Sequence, residues 1–424
     1  MFGWEFPPHI SGGLGTACYG LTKGLSKIPG LKVKFVVPKA YGDEDQSRVK
    51  IIDASNVELS KRLINFEKLL RKIEYVEINS NLIPYTDPEE YERAMSNSWH
   101  EGKTFINTSF RGKIAFSGTY GKNLFQEIAN YAIIASFLAQ KNDFDVIHAH
   151  DWLTFPAGIA AKEISGKPLI VHVHATDFDR SGGNVNPLVY EIEKKGMLAA
   201  DKVIAVSNLT RNTIIERYGI DAGKVITVHN AVDQLADVEK LQLERINETK
   251  IVTFLGRVTL QKGPEYFVEA AKKVLQKMDK VIFVMAGSGE LLNRMIIRAA
   301  TLKIADRFYF TGFLKGDDVY RMFSISDVYV MPSVSEPFGI SPLEAMHSNV
   351  PVIISHQSGV SEVLQYAIKV DFWDIDAMAD SIYGLLNYDA LSDMFKRLGK
   401  EEVENMKWES AALKVYNTYK SVVV

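Results

Sequence analysis

Short runs of β-branched and other apolar residues alternate with longer amphipathic stretches along the whole chain, and this alternation limits it to one kind of architecture. In the first half the runs fall at Val33–Val37, Phe144–His148, Leu169–His174, Lys202–Val206 and Val225–His229. In the second they fall at Ile251–Gly256, Val281–Ala286, Phe308–Thr311, Val328–Met331 and Val350–Ser355. Most are continuously apolar, as expected of strands covered on both faces. Helical stretches such as Pro264–Met278 and Val319–Ser326 separate them, which calls for βαβ crossovers and parallel sheets. The polar, charge-rich Gln234–Lys250 divides the two series. The expected fold class is therefore α/β, with two Rossmann-like doubly wound domains facing a central cleft.

The expected division is 1–233, 234–407 and a terminal helix, 408–424. A length of 424 residues, with 46% hydrophobic and 24% charged, suits two ordinary globular cores. Residues 53–110 break the alternation and read as an elaboration of the first domain. Within it, the basic amphipathic stretch Lys61–Ile73 reads either as a helix covering its own sheet, the favoured reading, or as a membrane-surface helix. Met1-Phe2-Gly3-Trp4 looks like the tail of a first strand, shorter than the usual length, and raises the expectation of a few further residues upstream.

Charge narrows the partners. Lys+Arg at 49 against Asp+Glu at 52 gives a net charge of -3, which argues against nucleic acid as the main ligand. Cys18 is the only cysteine, so an intrachain disulfide and a multi-cysteine zinc site are both excluded. No apolar run approaches a membrane span and no basic leader precedes one, so the simplest expectation is a soluble cytoplasmic protein.

Three clusters carry candidate chemistry. In Ser335–Met346 (SEPFGISPLEAM) a strand feeds a loop that opens a helix. Gly339 permits close backbone approach, Ile340 lies at the helix start, and free amides there can hold an anion. Glu336 and Glu344 bracket the turn and can accept hydrogen bonds from sugar hydroxyls, although Ser341, Pro342 and Glu344 equally suit a capping box. The second cluster, Gly256–Gly263 (GRVTLQKG), also follows a strand. Arg257 and Lys262 there can neutralise a departing diphosphate without Mg²⁺.

The third cluster belongs to the first domain. Gly12-Gly13-Leu14-Gly15 opens a helix as a glycine-rich anion site. His148-Ala149-His150-Asp151 and His172-Val173-His174 end neighbouring strands. Their paired histidines could bind a metal, since alternate residues share a face, but hydrogen bonding to sugar and phosphate is the favoured use. No metal or other cofactor is expected in the reaction.

Taken together, GGLG, HAHDW, VHVHATDFDR, VSNLTR, VHNAVD, GRVTLQKG and EPFGISPLEAM, in that order, resemble the GT-B glycosyltransferases that include bacterial glycogen and starch synthases and the broad GT4 group. The resemblance implies a retaining hexosyltransferase that uses a nucleotide sugar. It implies that Arg257 and Lys262 bind the donor diphosphate, Glu336 the transferred sugar and Glu344 the ribose. His174 would lie near the reacting centre, with Asp151, Gly12 and Gly13 in the opposite wall and Phe313 and Leu314 near the base. The stretch Trp408–Val424 resembles a helix that returns to the first domain.

One departure bears on the donor: Ile10 stands where ADP-glucose-dependent glycogen synthases typically carry lysine. The donor base, ADP or UDP, is thus open, with glucose and an α-1,4-glucan as the expected sugar and acceptor. The competing expectations are a lipid-linked or other polysaccharide acceptor, a nucleotide-sugar epimerase and a non-catalytic carbohydrate-binding module.

Overall fold

The computed structural model describes residues 1–9, 12–59, 112–121, 123–233 and 248–423. The expected membrane-surface stretch Lys61–Ile73, nearly all of the 53–110 elaboration, Ile10 and most of the dividing segment lie outside these residues. Among the described residues no helix is long and apolar enough to cross a membrane.

Two parallel sheets organise the molecule. In the first, β1 (Lys34–Val37) pairs with β2 (Lys50–Asp53), and β3 (Ile147–His150), β4 (Leu169–Val173), β5 (Lys202–Ala205) and β6 (Val225–Thr227) follow one another. Phe2 joins the two groups. It bridges Val36 on one side and Ala149 on the other, both in parallel, with Phe2 N donating to His148 O at 2.8 Å and Phe2 O accepting from His150 N at 3.0 Å. The residues read as a strand tail thus lie between β1 and β3 and join the two groups through Phe2.

In the second sheet β7 (Lys250–Leu255), β8 (Val281–Ala286), β9 (Phe308–Gly312), β10 (Val328–Met331), β11 (Val352–Ser355) and β12 (Ile368–Val370) take the order β12-β11-β10-β7-β8-β9. The strand order reverses between Phe2 and β3 in one sheet and between β7 and β10 in the other. Ligands of such sheets bind at those reversals, beyond the strand C-termini.

Burial explains why these runs are strands. Val252, Phe254, Phe283, Met285, Val328, Val330 and Ile353 form one core with helices Pro264–Leu275 and Ile375–Asn387. Ile147, Leu169, Val171 and Val203 form another with helices Leu124–Lys141 and Phe155–Ser165. β3 ends at His150 rather than at His148 because both histidines are buried in the sheet, polar residues in an apolar position.

Helix Trp408–Lys420 lies on the first domain. Its Trp408 indole fills the space in front of Gly20 in helix Gly13–Leu25, where a Cβ would come within 2.1 Å of the ring. Ala412, Val415 and Tyr419 continue the contact onto Ile170 and Ile204 of β4 and β5.

Candidate active site

The β7 and β10 loops meet at the reversal of the second sheet. After β7 the chain turns through Leu260–Lys262 and reverses at Gly263, whose φ of 62° is in the left-handed region. A Cβ there would lie 2.1 Å from Pro332 O, so both conformation and space call for glycine. The main-chain oxygen of Gln261 accepts Val334 N at 2.9 Å and stitches the two loops together. In consequence the Lys262 ammonium bonds the Glu336 carboxylate, and Ser333 Oγ reaches the same oxygen at 3.4 Å. Arg257 reaches back to Gln261 Oε1 at 3.1 Å. Lysine and glutamate are both largely buried, so each depends on the other for the charge it carries.

Gly339, with φ 101°, swings the chain into helix Ser341–His347. The capping box does not form. Ser341 is the first helical residue, and its hydroxyl is engaged with Tyr329 Oη at 2.8 Å. Glu344 is left half-buried, and its carboxylate takes no hydrogen bond from the described residues. Burial, reinforced by Asp233, pushes its pKa up to about 7. With only seven residues the helix has a modest dipole. Ile340 packs into the apolar clusters on either side of it. Phe313 and Leu314 follow β9 at the sheet edge, Phe313 exposed and Leu314 half-buried.

The first domain supplies the other wall. Gly12 caps helix Gly13–Leu25, and the space in front of both Gly12 and Gly13 is open. The Gly15 amide is already taken by the Glu5 carboxylate at 3.2 Å, which also receives Tyr120 Oη at 3.2 Å. Asp151 turns after β3 with φ 60°, and its buried carboxylate accepts His174 N at 2.6 Å and Ala175 N at 3.4 Å. It therefore braces the β4 loop, and burial pushes its pKa to about 6 against the pull of Arg180.

His148, His150, His172 and His174 line one sheet face as near-parallel rings. His150 Nδ1 meets His174 Nε2 at 3.0 Å, and His148 Nδ1 meets Tyr419 Oη at 2.6 Å. Burial lowers the pKa of all four, that of His174 to about 3. His174 is thus a neutral hydrogen-bonding group at physiological pH, unsuited to donating a proton as an imidazolium.

The two walls touch. Ser335 Oγ donates to Asp179 at 2.6 Å, beside the short helix Asp177–Ser181 that Thr176 and Asp179 cap reciprocally. Glu362 of the second domain accepts Asn208 N at 2.9 Å and Leu209 N at 2.7 Å, and bonds His229 Nε2 at 3.0 Å. Gly359 lies between Pro337 O and Ser207, where a Cβ would come within 2.2 and 2.4 Å of them. Asp179, Ser335, Glu362, Gly359 and Glu5 had not been singled out in the sequence.

Two family models divide most of the chain between them. Residues 105–234 match Glycosyltransferase Family 4, and residues 237–402 match Glycosyl transferases group 1. The chain belongs to the GT4 glycosyltransferases of GT-B fold. An uncharacterized glycosyltransferase of Methanocaldococcus jannaschii is 26% identical, covering 99% of this chain and 97% of its own. A glycogen synthase of Mycobacterium tuberculosis is 23% identical over 65% of this chain and 68% of its own. The solved sucrose-phosphate synthase of Thermosynechococcus elongatus, 19% identical, superimposes with a TM-score of 0.69 over 97% of this chain and 93% of its own. The two matches fall one on each of the two sheets of this GT4 chain.

Proposed function

We propose that this glycosyltransferase moves glucose, with retention, from ADP- or UDP-glucose to an α-1,4-glucan. The observation that carries the reading is the Lys262–Glu336 pair at the sheet reversal, with Arg257 on the same loop. As the glycosidic bond breaks, negative charge grows on the diphosphate, and the ammonium and guanidinium stabilise it without a metal ion. Glu336 holds hydroxyls of the transferred sugar, Glu344 those of the ribose, and the Gly339–Ile340 backbone approaches the donor. Phe313 and Leu314 border the base. Neutral His174 bonds a sugar hydroxyl from the opposite wall, where Gly12, Gly13 and the loop braced by Asp151 complete the cleft. The acceptor hydroxyl attacks from the face that the diphosphate leaves, and the departing phosphate takes its proton. Likeness to a glycogen synthase supports the glucan acceptor.

The test measures nucleotide release from ADP-glucose and UDP-glucose, with and without glycogen, using Glu336→Ala as control. Glycogen-dependent release that the variant loses supports the reading and names the donor. Release that needs a lipid-linked acceptor instead, or none with either donor, refutes the glucan assignment.

A further inference from the structure

At the cleft wall, His174 belongs to a set of donor atoms whose other members, Cys18 and His150, the proposed sugar transfer does not use. Cys18, on helix Gly13–Leu25, is fully buried and free. Its sulfur and one ring nitrogen each from His150 and His174 lie within 4.8 Å of one another. His150 Nδ1 and His174 Nε2 are 3.0 Å apart. Two imidazole nitrogens on one tetrahedral zinc ion stand roughly 3.3 Å apart, and a thiolate sulfur about 3.6 Å from each. The three donors therefore need shifts of about 1 Å or less to share an ion.

Hydrogen bonding leaves these rings under-used. His150 Nε2 and His174 Nδ1 are buried with no partner, and His150 is wholly enclosed. A neutral imidazole has one ring proton. If the proton now shared between the two rings moves to the unpartnered nitrogen of its own ring, both facing nitrogens present lone pairs. Charge favours a cation as well. Asp151, whose carboxylate accepts His174 N at 2.6 Å, and Glu5, whose carboxylate accepts the Gly15 amide on the helix that carries Cys18, supply negative charge that favours a metal ion. With the thiol proton released to solvent, thiolate and Asp151 balance a dication, as burial demands. His148, His150 and His172 form an overlapping triad of similar spacing, but it has no anionic donor of its own.

We propose that Cys18, His150 and His174 bind a thiophilic transition-metal cation of the zinc class, admitted from the cleft past half-buried His174. Occupancy takes His174 out of the cleft wall and so inhibits transfer. That consequence, unlike the site itself, rests on the role proposed for His174.

The full-length protein, reduced and stripped with a chelator, is titrated with CoCl₂ and then ZnCl₂. The expected result is one cobalt per chain with a thiolate-to-cobalt charge-transfer band in the near ultraviolet, bleached by zinc. Cys18→Ala loses the band, keeps basal activity and escapes zinc inhibition. Failure to bind cobalt, binding without the band, or a band that survives in Cys18→Ala overturns the proposal. The wild-type spectrum decides even if the variant does not fold. Full transferase activity with the band present supports the site and counts against His174 alone.

Discussion

Replacing Lys262 with alanine separates two roles of the Lys262–Glu336 pair, because folding and turnover respond differently to it. The variant strands the Glu336 carboxylate, whose side chain is 8% exposed, with Ser333 Oγ at 3.4 Å as its other side-chain partner. Removing one member of a buried pair costs about 3–5 kcal/mol. The lysine side chain is 19% exposed, so water partly fills its place. A cost at or just below the low end of that range, about 2–3 kcal/mol, is therefore expected. Adding Glu336→Gln removes the stranded charge and restores most of that stability. Turnover behaves otherwise. One preorganised charge contact is worth about 10²–10³ in rate, and the glutamine cannot replace the ammonium, so the double variant stays slow. Urea unfolding and nucleotide release, measured on the wild type, both single variants and the double, form a mutant cycle. Rate recovery in the double variant, or an unchanged unfolding free energy in Lys262→Ala, would refute the argument.

Further outcomes concern closure, protonation and packing. Ser335→Ala removes the 2.6 Å hydrogen bond to Asp179 across the cleft. A hydrogen bond to a charged group is worth about 1.5–3 kcal/mol, so kcat/KM should fall by about tenfold or more, and an unchanged value tells against the contact. Gly359→Ala forces Pro337 and Ser207 apart and should widen the cleft, which small-angle scattering reads as a larger radius of gyration. The raised pKa of Glu344 makes its contribution to folding full below the ordinary 4.5 and lost as pH rises through about 7. On the ribose role proposed for Glu344, donor binding uses the carboxylate, so affinity should run the other way and weaken as pH falls through that value. Calorimetry should find this dependence absent in Glu344→Gln. Gly20→Ala pushes a methyl into Trp408 and should cost about 1–3 kcal/mol in chemical denaturation.

Where a strand is apolar throughout, its bounds were readable: Val281–Ala286 and Val328–Met331 fall where the residue pattern puts them. β2 (KIID) and β12 (IKV) interrupt their apolar residues with charged ones, so neither stands out as an apolar run. Lys262 and Glu336 were legible as candidates because each follows a readable strand. Their contact was not, since it depends on where the sheet order reverses, 74 residues apart in sequence. Asp179 and Ser335 are further beyond reach. Each looks like an ordinary loop residue until two separately wound domains are brought face to face. Glu5 is hidden for another reason: its partner is a main-chain amide, which no residue type announces.

The seam between helix Trp408–Lys420 and the first domain has a consequence for synthesis. Chains emerge from the ribosome N-terminus first, and domains commonly fold as they appear. Here Ile170, Ile204 and the apolar side of helix Gly13–Leu25 await a cover that is translated only after the entire second sheet. The nascent first domain therefore keeps an apolar flank exposed until this helix has been translated. Chains stalled before this helix keep that flank uncovered, the kind of apolar surface that promotes aggregation.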